Sequence, residues 1–556
     1  MASETLGRLT ALRGADPHPL EAAREMVQRL GRPLGPDELA DLARRTRVPV
    51  AALRGAISSY ADLAEGPADV RVCVGTSCAL AGGEGLAEAL ADRAHVRVAH
   101  CLGHCDRSPA LLRRDGRVVL PGRGSDAERA LAAPSAALPP SSVRARCPEP
   151  IVTRRLGRGG FADLGHARAD GAYATLERAL AGGPEAVLAA MEGSGLRGRG
   201  GAGFATGRKW RLAAAAPGEE RYVVCNGDEG DPGSFVDRLL MEEDPHGVIE
   251  GMALCALAVG ARRGIAFVRS EYPAARAALA RAVEDARAAG ILGHAMLGSG
   301  RAFDVQVVSG LGSYVCGEET ALLEALEGRR CEVRLRPPYP VTSGLHGQPT
   351  VVDNVETLID AVWIVENGAD AYARLGTAAS PGTKALCLNH GFARPGVVEV
   401  EMGTPMWEVV EEAGGPGGPA ALAAVLAGGP MGSVIPPAEW DVPICYTAMA
   451  ERGLALGHGG LVALPDDADL PALLRGWLGF MASESCGRCT PCGLGSRRAL
   501  DLAEGPGLRG GRAELVRLLG VVEEASLCAF GQGIPRPVRR LIELFGDRIA
   551  AAEAAS

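Results

Sequence analysis

Three cysteines at i, i+3 and i+6 constrain this chain more than any other feature. Cys486, Cys489 and Cys492 are followed by Cys528 beyond a helical stretch. Thiolates at that spacing wrap one corner of a compact metal centre and a distant fourth closes it, so two separate segments must converge. The pattern predicts a [4Fe–4S] centre; zinc, which commonly pairs two separate Cys-x2-Cys hooks, is the alternative. Cys73-x4-Cys78 and Cys101-x3-Cys105 predict a [2Fe–2S] centre on two loops of one small domain, again with zinc as the alternative. His104, between two of these ligands, is read as a solvent-side residue that tunes the centre. Of 15 cysteines, the remaining Cys147, Cys225, Cys255, Cys316, Cys331, Cys387 and Cys445 are scattered and read mostly as small core residues.

A second stretch, Gly195 to Trp210 (GLRGRGGAGFATGRKW), alternates glycines with Arg199, Phe204, Lys209 and Trp210. Glycines let a backbone approach a ligand closely. Successive N–H groups at a helix start favour an anion, and Lys209 adds a point charge. Asn226-Gly-Asp-Glu-Gly-Asp-Pro follows a strand and brings Asp228, Glu229 and Asp231 together. Tyr314, Glu318 and Glu319 follow another. Carboxylates accept hydrogen bonds from sugar or ribityl hydroxyls but repel phosphate, so phosphates belong on the Gly200 and Lys209 side.

Apolar spacing gives a helical lead-in over 1–64 and a thioredoxin-like [2Fe–2S] domain over 65–130, with a hairpin at Asp115-Gly116. An Ala/Pro/Ser-rich linker occupies 131–150. Strands and helices alternate over 151–380, predicting a Rossmann-like α/β domain with ligands at the carboxyl ends of its strands. A β-grasp-like domain (381–465) and a helical bundle (466–556) complete an α/β multidomain chain. The net charge of −9 argues against nucleic-acid binding. No apolar run approaches the ~20 residues of a membrane span. The opening MASETLGRLTALRG lacks a signal-peptide pattern, so a cytoplasmic protein is expected, linked to a membrane only through a partner.

GRGGAGF, VVCNGDEGDPGSF, GSYVCGEETAL, PTVVDNVETL and ESCGRCTPC occur here in that order. Together they resemble the flavin subunit of NADH-oxidising modules. That family comprises the NADH-binding subunit of respiratory NADH:quinone oxidoreductase and the diaphorase subunits of NAD-reducing hydrogenases and of molybdenum- or tungsten-containing formate dehydrogenases. The resemblance covers about 151–545, and 1–130 resembles the smaller [2Fe–2S] subunit of the same modules. It implies FMN against Gly198, Arg199, Gly200, Gly201 and Lys209. Asn226, Asp228 and Glu229 would lie on one side, with Tyr314, Gly317, Glu318, Asn354 and Thr357 on the other. NAD(H) would meet Phe204, Asp231, Glu319, Arg336 and Tyr339, with Glu229 and Glu319 as carboxylates beside the transfer. The eight clustered cysteines would ligate the two centres. Asp353 stands where respiratory members usually have Asn, and Leu212 replaces an aromatic. The 22 residues between Cys78 and Cys101 are fewer than usual for the family. The wording GDEGDPGSF is nearest the formate dehydrogenase and hydrogenase diaphorases. A molybdopterin subunit is the expected partner, with hydrogenase or respiratory subunits as alternatives. A flavin-free electron-transfer scaffold is the reading of another class.

Overall fold

A computed structural model describes residues 18–122, 130–131, 138–415, 421–505 and 507–555. The opening segment, on which the signal-peptide reading rests, and most of 123–137 lie outside the described residues.

The described part of the lead-in has helices α1 (Pro19–Leu30), α2 (Pro36–Thr46) and α3 (Val50–Ile57), followed by a single helical turn at Ala61–Ala64. Proline in the first turn of α1 and α2 suits positions whose N–H groups have no helical partner. Their apolar faces pack with Phe267 and Val308 of the α/β domain, so they form no separate bundle.

The small domain has β1 (Val70–Cys73), α4 (Gly83–Ala91), β2 (Val96–Ala99), β3 (Leu111–Arg113) and β4 (Val118–Val119), with sheet order β2-β1-β3-β4. β1 and β2 are parallel and β3–β4 is the expected hairpin, with Gly116 at φ 82° supplying the left-handed turn residue. The domain is bolted to its neighbours. Trp477 Nε1 donates to Thr76 Oγ1 (3.1 Å), Arg238 Nε to the Gly103 carbonyl (2.8 Å) and the His390 amide to the Cys105 carbonyl (2.9 Å).

The expected linker at 131–150 is corrected: β5 (Val143–Ala145) is an edge strand of a six-stranded sheet, paired in parallel with Gly396–Glu401. The Glu399 carboxylate there accepts from the amides of Ile151, Val152 and Thr153 (2.8–3.1 Å), fixing the chain as it enters the next domain.

The central domain has β6 (Tyr222–Gly227), β7 (Arg263–Val268), β8 (Asp304–Ser309) and β9 (Thr350–Asn354), all parallel, in the order β8-β7-β6-β9. Helices α5 (Pro184–Ser194), α6 (Thr206–Ala215), α7 (Pro245–Val259), α8 (Glu319–Leu326) and α9 (Val355–Asn367) pack around it. Every residue of α7 is buried, His246 and Glu250 included, as a mostly apolar helix at the centre of a domain requires. The strand order reverses between β6 and β9, so their carboxyl ends form the crevice where open α/β sheets bind ligands. β10 (Thr383–Leu388), β11 (Gly396–Glu401), β12 (Leu422–Ala427), β13 (Ser433–Ile435) and β14 (Gly460–Pro465) make up the rest of the six-stranded sheet. The chain closes in α10 (Leu470–Glu484), α11 (Thr490–Glu504), α12 (Gly507–Ala525) and α13 (Pro535–Ala555). No helix among the described residues is long and apolar enough to cross a membrane.

Candidate functional site

The strand register puts Asn226 of β6 directly beside Asn354 of β9 at the switch point. Asn226 Nδ2 donates to the Gly317 carbonyl (2.9 Å) and its Oδ1 accepts the Asp228 amide (3.1 Å), tying the loops after β6 and β8 together. Asn354 caps α9 through the Thr357 amide (3.3 Å). A Cβ on Gly200 would lie 3.1 Å from the Asn354 Cβ, so the glycine loop rests on that asparagine. The loop bends there through Gly201 (φ 107°) and Gly203 (φ 60°), conformations that suit glycine.

Lys209 reaches this end of the sheet from α6. Its Nζ donates to the Val352 carbonyl (2.8 Å) and to Asp353 (3.0 Å), whose other oxygen takes Trp210 Nε1 at 2.6 Å. Burial alone would lower the lysine's pKa, but Asp353 and then Glu319 outweigh it and raise it. Asp353 is therefore a framework residue under the loop.

Two residues expected at the cofactor are tied into the protein framework. The Arg199 guanidinium is fully buried and turned away from the crevice, donating to Tyr372 Oη and the Pro381 carbonyl (2.8 Å each) beside Asp360. Its amide donates to Thr357 Oγ1 (2.9 Å), so Arg199 and Thr357 shape the loop by bonding each other. Glu229, expected beside the transfer, is buried: its oxygens accept the Asp237 and Arg238 amides (3.1 and 3.0 Å) and Tyr272 Oη (3.3 Å).

Glu229 joins a cluster that local sequence did not signal. His458 Nε2 lies 2.8 Å from Asp237 Oδ2, and its Nδ1 lies 3.7 Å from Glu229. Asn354 Nδ2 donates to the same Asp237 oxygen (2.6 Å). The three ligand types sit within 4.8 Å of one another, as a metal site would require. The two carboxylates, however, face different ring nitrogens, which suits an imidazolium clamp better than one ion. Burial would lower the His458 pKa, but Asp237 and Glu229 outweigh it and lift it to about 9. Burial, reinforced by Asp237 and opposed by His458, pushes Glu229 up to about 8.

On the other wall, Tyr314 Oη bonds Asp231. Glu318 caps α8 through the Thr320 and Ala321 amides (2.9 and 3.0 Å), and Glu319 pairs with Arg336 (3.1 Å). Glu318 Oε1 is buried with Arg336 Nη1 3.7 Å away but with no hydrogen-bond partner, an acceptor that a ligand hydroxyl would satisfy. Phe204, Leu212 and Tyr339 are exposed at 46%, 41% and 54%, leaving their apolar faces open.

Tyr314 also touches the helical domain: its ring lies 4.9 Å from Phe480 and 5.7 Å from Phe530, two residues past Cys528. Cys486 follows α10, Cys489 caps α11, Cys492 lies in its first turn, and Cys528 caps a short helix. In the small domain, Cys73, Cys78, Cys101 and Cys105 are all buried, with Cys101 and Cys105 Sγ 3.8 Å apart. The Gly103 amide donates to Cys101 Sγ (3.3 Å). Among the described residues, no three thiols of either set fall within 4.8 Å of one another. Four ligands on one zinc would place sulfurs only ~3.8 Å apart. His104 is corrected: it is buried and contacts Arg107 (3.2 Å).

Residues 191–363 match the Nuo51 FMN-binding domain, 472–552 the NADH-ubiquinone oxidoreductase-F iron-sulfur binding region, and 392–435 the SLBB domain. The NADP-reducing hydrogenase subunit HndC of Solidesulfovibrio fructosivorans is 40% identical over 68% of this chain and 78% of its own. An NADH-quinone oxidoreductase subunit of Rhizobium meliloti is 39% identical over 72% of this chain and 97% of its own. A crystal structure of an NAD+-reducing [NiFe]-hydrogenase in the H2-reduced state superposes with a TM-score of 0.81 at 31% identity. It covers 95% of this chain and 92% of that one.

Proposed function

Because the chain belongs to the family of NADH-binding flavin and iron–sulfur subunits found in NADH:quinone oxidoreductases and NAD(P)-reducing hydrogenases, we propose that it is the diaphorase of a larger cytoplasmic complex. In this reading it passes electrons between NAD(H), FMN and two iron–sulfur centres. The observation that carries the proposal is the switch-point crevice, whose Tyr314 packs on Phe480 and Phe530 of the helical domain that carries Cys486, Cys489, Cys492 and Cys528. FMN would supply the conversion between hydride and single-electron transfer. Asn226 and Asn354 would hold its rim, Gly198, Gly200 and Gly201 would admit it closely, and Lys209 would meet its phosphate. Glu318 would accept from its hydroxyls. Phe204 and Tyr339 would flank the nucleotide, and Arg336 would hold Glu319 beside it. Cys486, Cys489, Cys492 and Cys528 would hold a [4Fe–4S] cluster. Cys73, Cys78, Cys101 and Cys105 would hold a [2Fe–2S] cluster.

Lys209→Ala tests the assignment. It should lose most FMN and NADH-dependent dye reduction while keeping wild-type iron; equal loss of FMN and iron would refute the loop's role. For the partner, we propose a molybdopterin subunit of the formate dehydrogenase type; the wording GDEGDPGSF supports a formate dehydrogenase or hydrogenase diaphorase over the respiratory subunit. The near full-length likeness to a hydrogenase chain favours a nickel–iron subunit as the second reading. Co-purification with metal analysis decides: molybdenum or tungsten supports the first and nickel the second.

A further inference from the structure

Two of the seven cysteines outside the cluster sets meet in the folded chain. Cys316 and Cys331, 15 residues apart, have Sγ atoms 2.8 Å from each other, and both are buried at 1% and 0% exposure. Cys316 lies in the turn Tyr314–Gly317, whose flanking groups bond Asp231 and Asn226. Cys331 lies beyond α8, in the segment that leads to Arg334 and Arg336. Its amide donates to Ser59 Oγ (3.0 Å), and Arg330 beside it donates to the Gly55 carbonyl (2.9 Å), so this segment is held against the lead-in helices. Near the two sulfurs are Ser313 Oγ at 3.7 Å and the Ala321 carbonyl at 4.0 Å from Cys331, neither of them a metal ligand. Among the described residues no third His, Cys, Asp or Glu completes a metal site with this pair. Two thiols alone, in contact, have one common chemistry left, a bond to each other. A bonded pair is ~2.05 Å apart, so the remaining approach is small.

We propose that Cys316 and Cys331 are a reversible redox modification site, forming a disulfide when the protein meets hydrogen peroxide. One thiol is oxidised by peroxide to the sulfenic acid, releasing one water. The second thiol attacks that sulfur, forming the S–S bond and releasing a second water. Two electrons pass from the two thiols to one peroxide, and a small dithiol returns both thiols by exchange. The bond fastens the Tyr314–Gly317 turn to the segment carrying Arg336, covalently joining two parts of the same crevice wall.

The test uses the full-length protein with its cofactors, purified without oxygen and treated with graded hydrogen peroxide. It is then alkylated under denaturing conditions and digested with trypsin without reductant. Cleavage after Arg301, Arg329, Arg330 and Arg334 puts the two cysteines on separate peptides, 302–329 and 331–334. The expected product is these peptides linked, two hydrogens lighter than their sum, and separated by dithiothreitol. In Cys331→Ser the linked species is absent and Cys316 is recovered alkylated. Recovery of both wild-type cysteines singly alkylated at excess peroxide, or of Cys316 as sulfinic acid without a link, would overturn the proposal. So would a Cys316 that pairs with another cysteine in Cys331→Ser.

Discussion

Lys384→Met removes one half of a fully buried ion pair. Lys384 Nζ bonds Glu356, and both side chains are 0% exposed. Glu356 lies in the first turn of α9, two residues after Asn354, so the pair anchors the crevice wall to β10 of the neighbouring sheet. Methionine keeps most of the aliphatic stem, which is tightly held: a Cβ on Gly459 would lie 2.7 Å from Lys384 Cε. The variant leaves the Glu356 carboxylate with the Ala385 amide at 3.1 Å in place of a full counter-charge. Breaking a buried pair from one side costs about 3–5 kcal/mol. At a urea slope of about 3 kcal/mol/M, that lowers the unfolding midpoint by about 1–1.7 M. Lys384→Met/Glu356→Gln removes the stranded charge and should recover more than half of the loss, because the amide oxygen can still accept from Ala385. The assay is urea unfolding followed by tryptophan emission, with FMN retention measured in parallel. A single variant within about 0.3 M of wild type, or a double variant no more stable than the single, would refute the reasoning.

The clamp around Asp237 predicts alkaline sensitivity. Glu229 at about 8 and His458 at about 9 are both raised above their unfolded values of 4.5 and 6.5. Each therefore contributes stability that is complete below its unfolded pKa and lost as pH rises through the folded one. Glu229→Gln should flatten the decline in melting temperature between pH 5 and 8, and an unchanged slope would remove Glu229 from the account. Cys528→Ser should lose about four irons and Cys101→Ser about two, each keeping the other set; iron analysis showing both sets lost in either variant contradicts two independent centres. Arg199→Lys cannot reproduce the guanidinium's bonds to Tyr372 and Pro381 and should cost about 2–3 kcal/mol in urea unfolding. FMN loss with an unchanged midpoint would instead place that guanidinium on the ligand.

What the sequence determined by itself was the kind of chemistry and the order of the parts. The two cysteine sets, the glycine loop and the acidic stretch that follows a strand at Asn226 are local patterns, and spacing along one segment already says which atoms share a loop or face. What only the tertiary structure decided was which partner each group found. Arg199 and Glu229 carry ligand-like labels in their motifs, yet turn inward because Asp360, Tyr372 and the Asp237 amide reach them. His458 meets Asp237 across 221 residues of chain, and 143–145 becomes a strand because Gly396–Glu401 offers an edge. Such pairings depend on how crossovers return distant segments to one another. A short window of sequence carries the periodicity of a helix or strand, but nothing about which distant group will come to lie against it.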